Sequence, residues 1–301
     1  MLSAICCSCL ALSVPLQAQS SDEEAPVSEY PETDIFLFDY DPENSDNALS
    51  GGRNVTNQPR YDNQPFFTAD SETFLYSRDD GTQTDIWEYD IATGRHTQIT
   101  STPVNEYSPT PSPDNQTISM VSEQFSSIAH LDRDTSQAPE WSLGVTEVEE
   151  PVGYFARNYQ SGDIVFWSRY GFNVTLINID EPGFHFISGD AVPVAPRVIP
   201  GTDQFSFVHR QTNEEVWIKA FDPKTKSIRP LTTIVGSNAN HDWAPDGSVL
   251  LIEGSSLYRW REGGEGWEEV GDFSDAGIAS ANRIAVSPDG DHIAIVGLPA
   301  D

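Results

Sequence analysis

A short motif recurs about every 44 residues along this chain, and a period of that size restricts it to architectures whose repeated units stack on their neighbours. Pro65-Phe66-Phe67-Thr68-Ala69-Asp70 aligns with Pro109-Thr110-Pro111-Ser112-Pro113-Asp114, His241-Asp242-Trp243-Ala244-Pro245-Asp246 and Ile284-Ala285-Val286-Ser287-Pro288-Asp289. Weaker copies begin at Gly153 and Pro196, which brings the series to six. Each motif is followed by a run of strand length rich in β-branched and aromatic residues, such as Thr73-Phe74-Leu75-Tyr76 or Ile293-Ala294-Ile295-Val296. A third run comes next in most copies, as in Asp85-Ile86-Trp87-Glu88-Tyr89, and a fourth ends the unit, as in His96-Thr97-Gln98-Ile99-Thr100. Helical periodicity is nowhere sustained in the repeat region, so the chain reads as all-β.

The turns carry their own explanation. In Pro245-Asp246-Gly247 and Pro288-Asp289-Gly290, Pro presets φ, Asp hydrogen-bonds nearby backbone and Gly accepts positive φ. These aspartates are expected to be structural. The last copy starts at Ile284 and has room for only two strands before Asp301. The missing pair is expected at the other terminus, in Asp34-Ile35-Phe36-Leu37-Phe38-Asp39 and in the stretch from Ala48 to Thr56. Pairing the termini in one sheet shuts the ring and removes open edges. The expectation is a closed six-bladed β-propeller over residues 33–301.

The segment from Tyr61 to Thr100 carries a further signal in Tyr61-Asp62, Arg78-Asp79-Asp80-Gly81, Asp85-Ile86-Trp87 and Ile99-Thr100. It resembles the WD40-like repeat of the TolB propeller family. That resemblance implies a bacterial, periplasmic protein that binds protein partners at the mouth of its propeller. TolB carries an α/β domain ahead of its propeller, whereas only a dozen polar residues stand before the first strand here, which weakens the implied link to the Tol–Pal system.

Residues 1–20 read as a secretory signal: an uncharged apolar run from Leu2 to Ala18 precedes the acidic Asp22-Glu23-Glu24. The run is shorter than the ~20 residues that a spanning helix needs. Residues 21–32 read as a flexible acidic lead-in. All three cysteines, Cys6, Cys7 and Cys9, fall within the leader, in contexts that match a lipoprotein attachment site poorly. The exported chain would therefore carry no thiol for catalysis or metal binding. With 47 acidic against 16 basic residues the formal charge is −31, which repels phosphate backbones, so nucleic acid is not an expected partner. The three lysines, Lys219, Lys224 and Lys226, sit together and read as a solvated hairpin.

Little in the sequence points to chemistry. No Gly-x-Ser-x-Gly elbow occurs, the six histidines show no metal-ligand spacing, and Asp39-Tyr40-Asp41 opens an imperfect calcium loop. No metal, cofactor or catalytic residue is expected. Positions just ahead of the innermost strands supply Asp62, Glu106 and Glu150 at equivalent places, with His241 and Arg283 across the ring. These five are the sequence's candidates for a binding site at the channel mouth. The reading is an exported, monomeric, non-enzymatic scaffold that binds a protein or peptide. The alternative is a carbohydrate- or lactone-acting enzyme, or a small-ligand or cation binder, using the same channel.

Overall fold

The computed structural model describes residues 30–123, 127–133, 140–141 and 150–300. The expected leader, residues 1–20, and most of the lead-in lie outside the described residues. Alternating apolar runs broken by tight turns give six four-stranded antiparallel sheets. The first blade holds β3 (Asp62–Phe67), β4 (Thr73–Asp79), β5 (Thr84–Asp90) and β6 (His96–Gln98). The second holds β7 (Glu106–Pro111), β8 (Thr117–Ser122), β9 (Ser127–Asp132) and β10 (Glu140–Trp141). The third holds β11 (Val152–Arg157), β12 (Asp163–Ser168), β13 (Val174–Asn178) and β14 (Phe184–Ser188). The fourth holds β15 (Arg197–Val198), β16 (Phe205–Arg210), β17 (Val216–Asp222) and β18 (Ser227–Thr233). The fifth holds β19 (His241–Trp243), β20 (Val249–Glu253), β21 (Ser256–Trp260) and β22 (Trp267–Asp272).

The sixth blade joins the two ends of the chain. Its order is β2 (Leu49–Asn54), β1 (Asp34–Tyr40), β24 (His292–Pro299) and β23 (Ile278–Val286). β1 runs antiparallel to β24 in unbroken register from Asp34 opposite Gly297 to Asp39 opposite His292. The expected six-bladed propeller with terminal closure is the fold observed.

Side chains on successive strand positions point to opposite sheet faces, so each central strand feeds two inter-blade cores. In β24, Ile293 and Ile295 pack toward Leu250 and Ile252 of the fifth blade, while Ala294 and Val296 pack toward Phe74 and Tyr76 of the first. In β12, Ile164 and Phe166 face Ile128 of the second blade, while Val165 and Trp167 face Phe205 and Phe207 of the fourth. Clusters joining the first blade to the second and the fourth to the fifth complete the circle. Each buried Phe, Ile or Leu contributes roughly 1.5–3 kcal/mol relative to exposure, so the seams between blades hold the ring shut.

The turn aspartates behave as expected. Asp70, Asp114 and Asp289 each accept from the hydroxyl two residues earlier and the backbone N–H two residues later. Asp246 instead accepts both the N–H and the hydroxyl of Ser248. The residue after the aspartate takes positive φ in each case: Ser71, Asn115, Gly247 and Gly290.

Candidate functional site

Innermost strands β3, β7, β11, β15, β19 and β23 surround the channel, and the chain enters them on one face of the ring, the upper face. Asp62 and Glu106 begin β3 and β7 rather than standing in the loops ahead of them. Asp62 is 0% exposed and accepts from Arg78 Nε at 2.7 Å, with the Arg78 guanidinium lying over the Tyr76 and Trp87 rings. Burial pushes the Asp62 carboxyl up to about 6 in spite of that arginine. The pair sits at the closing seam, where Thr33 Oγ1 donates to the Asp62 carbonyl. Glu106 is buried, accepts from Thr102 Oγ1 at 2.7 Å, and is pushed up by burial. Glu150, two residues ahead of β11, accepts from Ser168 Oγ.

His241 is buried between the fourth and fifth blades, with Nε2 at 2.9 Å from Ser206 Oγ. Burial, aided by the Arg197 charge, holds its imidazole down to about 4. Ser206 stands in a strand position flanked by Phe205 and Phe207, and its hydroxyl also accepts from Trp243 Nε1. The hydrogen-bond partners of His241 include none of the three acids. Of the five sequence candidates, Arg283 lines the channel, and the structure does not gather the others around it.

What converges on the upper mouth is aromatic. A cavity of about 230 Å³ is lined by Tyr30, Tyr61, Tyr107, Tyr154 and Trp167, with Glu123 and Arg169 at its rim. Tyr30 packs on both Tyr61 and Tyr107, with ring centroids 5.1 and 6.0 Å away. Burial pushes the Tyr61 and Tyr107 hydroxyls well above the usual tyrosine range, so they remain protonated donors at neutral pH. The loop after β12 extends this surface: Tyr170 is 82% and Phe172 55% exposed, and Phe172 lies edge-on to Trp167 at 5.7 Å. Phe172 holds φ at +47°, a left-handed conformation that costs a bulky residue about 1–2 kcal/mol.

Two more left-handed residues, Gln64 and Ser108, occupy bulges in β3 and β7 where the ladder register slips. The bulges bring Gln64 Oε1 within reach of the Ser108 backbone N–H and hydroxyl, and Gln64 Nε2 to Tyr61 Oη at 3.3 Å. Pro65 and Pro109 are the sequence signal for these bulges, because proline cannot donate to a ladder. The tyrosines themselves lay one residue from the sequence candidates: Tyr61 precedes Asp62 and Tyr107 follows Glu106. A shift of one residue along a strand exchanges its two faces. The acids therefore turn to one side of their blades and the tyrosines to the other, where they line the mouth cavity.

Below the aromatic cavity the channel narrows. Arg283 reaches from the sixth blade to the opposite third blade, donating from Nη2 to Tyr154 Oη at 2.7 Å with its guanidinium 4.8 Å from that ring. The space left there is about 30 Å³, bounded also by Gln64, Phe66 and Arg197. Arg197 lies 3.4 Å from Asp242 and 5.9 Å from the Phe66 ring. The lower mouth opens into larger cavities of about 560 and 270 Å³, walled by Phe66, Phe67, Val198 and turn prolines such as Pro288. At its edge Arg157 lies 4.2 Å over the Tyr159 ring and donates to Ser119 Oγ, which also contacts His130 Nδ1. Burial holds the His130 imidazole down to about 4. Among the described residues no group of three or more His, Cys, Asp or Glu is placed to hold a metal ion, and no helix is long and apolar enough to cross a membrane.

No protein-family model matches the chain, and no curated protein matches it in sequence. Solved structures do. A structure assigned to TolB from Agrobacterium tumefaciens superposes with a TM-score of 0.66 at 14% identity, covering 89% of this chain and 100% of that one. TolB from Acinetobacter baumannii gives 0.57 at 15% identity over 88% of this chain, which spans 63% of that protein's length. An oligogalacturonate lyase from Vibrio parahaemolyticus gives 0.54 at 12% identity over 89% of this chain and 98% of that one. At such identities the likeness is one of fold, and in fold this chain is a TolB-like six-bladed β-propeller.

Proposed function

We propose that this chain is an exported, periplasmic propeller that binds a protein or peptide at its upper mouth and acts as a non-enzymatic scaffold. The observation that carries the reading is the convergence of Tyr30, Tyr61, Tyr107, Tyr154 and Trp167 on one mouth, continued outward by the exposed Tyr170 and Phe172. Tyrosine and tryptophan dominate the residues that carry binding energy between proteins, because they offer large rigid area together with a polar handle. Rigid blades present these side chains at fixed spacing with little ordering cost on binding. Export rests on the signal-like leader at residues 1–20 and on the resemblance of the Tyr61–Thr100 repeat to TolB.

The test is a selection of displayed peptides on the immobilised protein, followed by calorimetry. Binders are expected to lose about tenfold or more in affinity with Phe172→Ala or Tyr170→Ala, two exposed positions whose truncation leaves the core intact. Binders indifferent to both changes, or turnover of an oligosaccharide or lactone by the wild-type protein, would overturn the reading.

A further inference from the structure

Resting on the reading above, we propose that the channel waist is a carboxylate site, and that the ligand of the upper mouth carries an acid group that seats on Arg283. A guanidinium has five N–H donors, and the hydrogen bond from Arg283 to Tyr154 occupies one. Among the described residues, the titratable groups that bear on it are Tyr154 and Tyr61, and no carboxylate pairs with it. Among the described residues, Arg78, Arg133 and Arg259 find carboxylates at short range in Asp62, Glu88 and Glu268, whereas Arg283, like Arg157 at the lower mouth, is met by a tyrosine ring and a hydroxyl. A cation set inside a channel and left without a counter-charge is costly unless an anion completes it.

The geometry provides both access and a second positive group. Gln64 and Tyr154 line the aromatic cavity and the waist alike, so these two side chains stand between the spaces and their movement opens one to the other. Arg197 stands on the same waist, held by Asp242 and by the His241 and Ile284 carbonyls at 3.4 to 3.5 Å. The waist space of about 30 Å³ accommodates little more than one water-sized group, so a carboxylate enters it only as the Tyr154 hydroxyl gives way, while the rest of the ligand stays above. The aromatic cavity of about 230 Å³ holds the group next to that acid, an aromatic or branched apolar side chain. Arginine matches a carboxylate's two oxygens with two N–H groups, so the displaced Tyr154 hydroxyl is replaced by a stronger, charge-assisted pair.

The experiment compares N-acetyl-phenylalanine, which carries a free carboxylate, with N-acetyl-phenylalaninamide and with acetate, by calorimetry on the full chain. The acid is expected to bind about tenfold or more tightly than the amide. Arg283→Met is expected to erase that preference, bringing acid binding down to the level of the amide. Tyr154→Phe removes the competing hydroxyl and is expected to keep or strengthen the preference, which guards against a folding defect in the arginine variant. If acetate binds as well as the N-acetyl amino acid and both are lost with Arg283→Met, the acid is a small free one rather than a peptide's, and the carboxylate site stands. Equal binding of acid and amide overturns the carboxylate site but leaves the mouth as a binding surface. Binding of neither overturns both.

Discussion

Removing Arg78 while keeping Asp62 is the perturbation whose size the structure fixes best. Asp62 is wholly buried at the seam where the N-terminal strand closes the ring, and Arg78 is the cation paired with it. Stripping one partner from a buried ion pair leaves an uncompensated charge and costs about 3–5 kcal/mol. Arg78→Met at pH 8 is therefore expected to lower the melting temperature by roughly 10 °C, at about 2–4 °C per kcal/mol for a domain of this size class. The double variant Asp62→Asn/Arg78→Met removes both charges and is expected to regain most of the loss. The pH dependence has a definite sign. An acid whose folded pKa is raised binds a proton in the fold that the unfolded chain releases, so its contribution to stability falls as pH rises from about 4 toward 6. Without Arg78 the carboxyl rises further, and the damage is expected to shrink markedly at pH 5. Calorimetric melts of the three proteins at pH 5 and pH 8 decide the matter. An Arg78→Met protein as stable as wild type at pH 8, or a double variant no better than the single, would refute a buried pair and return Asp62 to the channel mouth.

Phe172→Gly relieves a left-handed φ that Phe172→Ala retains, so the glycine variant is expected to melt above the alanine variant by a margin worth about 1 kcal/mol. Equal melting temperatures would show that the loop is unstrained. Burial holds His130 and His241 near 4, well below an ordinary histidine, so each favours the fold above pH 6.5 by up to about 3 kcal/mol and loses that contribution as pH falls toward 4. Urea titrations across that range are expected to show a steeper acid loss in wild type than in His130→Gln. With a formal charge of −31 the fold is expected to melt higher in molar NaCl than in dilute buffer, because the screening length falls from about 30 Å at 0.01 M to about 3 Å at 1 M. A flat response would show that the surface charges are already compensated.

The ring was legible because its cause is local and repeated. The 44-residue spacing, the Pro-Asp-Gly turns and the two-strand deficit after Ile284 each speak of the same four-stranded unit, and the β1–β24 pairing is what they require. The site was less legible because its residues are chosen by strand face and by bulges, which depend on register. Asp62 and Glu106 begin the innermost strands, but their buried side chains pair within the fold, while the neighbouring Tyr61 and Tyr107 line the mouth cavity. Trp167 meets Tyr154 across the β11–β12 pair, and Phe172, in the loop behind β12, meets Trp167 in turn, contacts that depend on strand register. Arg283 and Tyr154 are 129 residues apart, and only closure of the circle makes them neighbours.

The most direct test is a hydrogen-exchange footprint of a selected peptide bound to the intact protein. Slowed exchange is predicted at the upper mouth, in residues 61–64, 107–108, 152–154 and 167–173. Protection confined instead to the lower turns around Asp70, Asp114, Asp246 and Asp289 would contradict the account, placing the binding face on the opposite side of the ring.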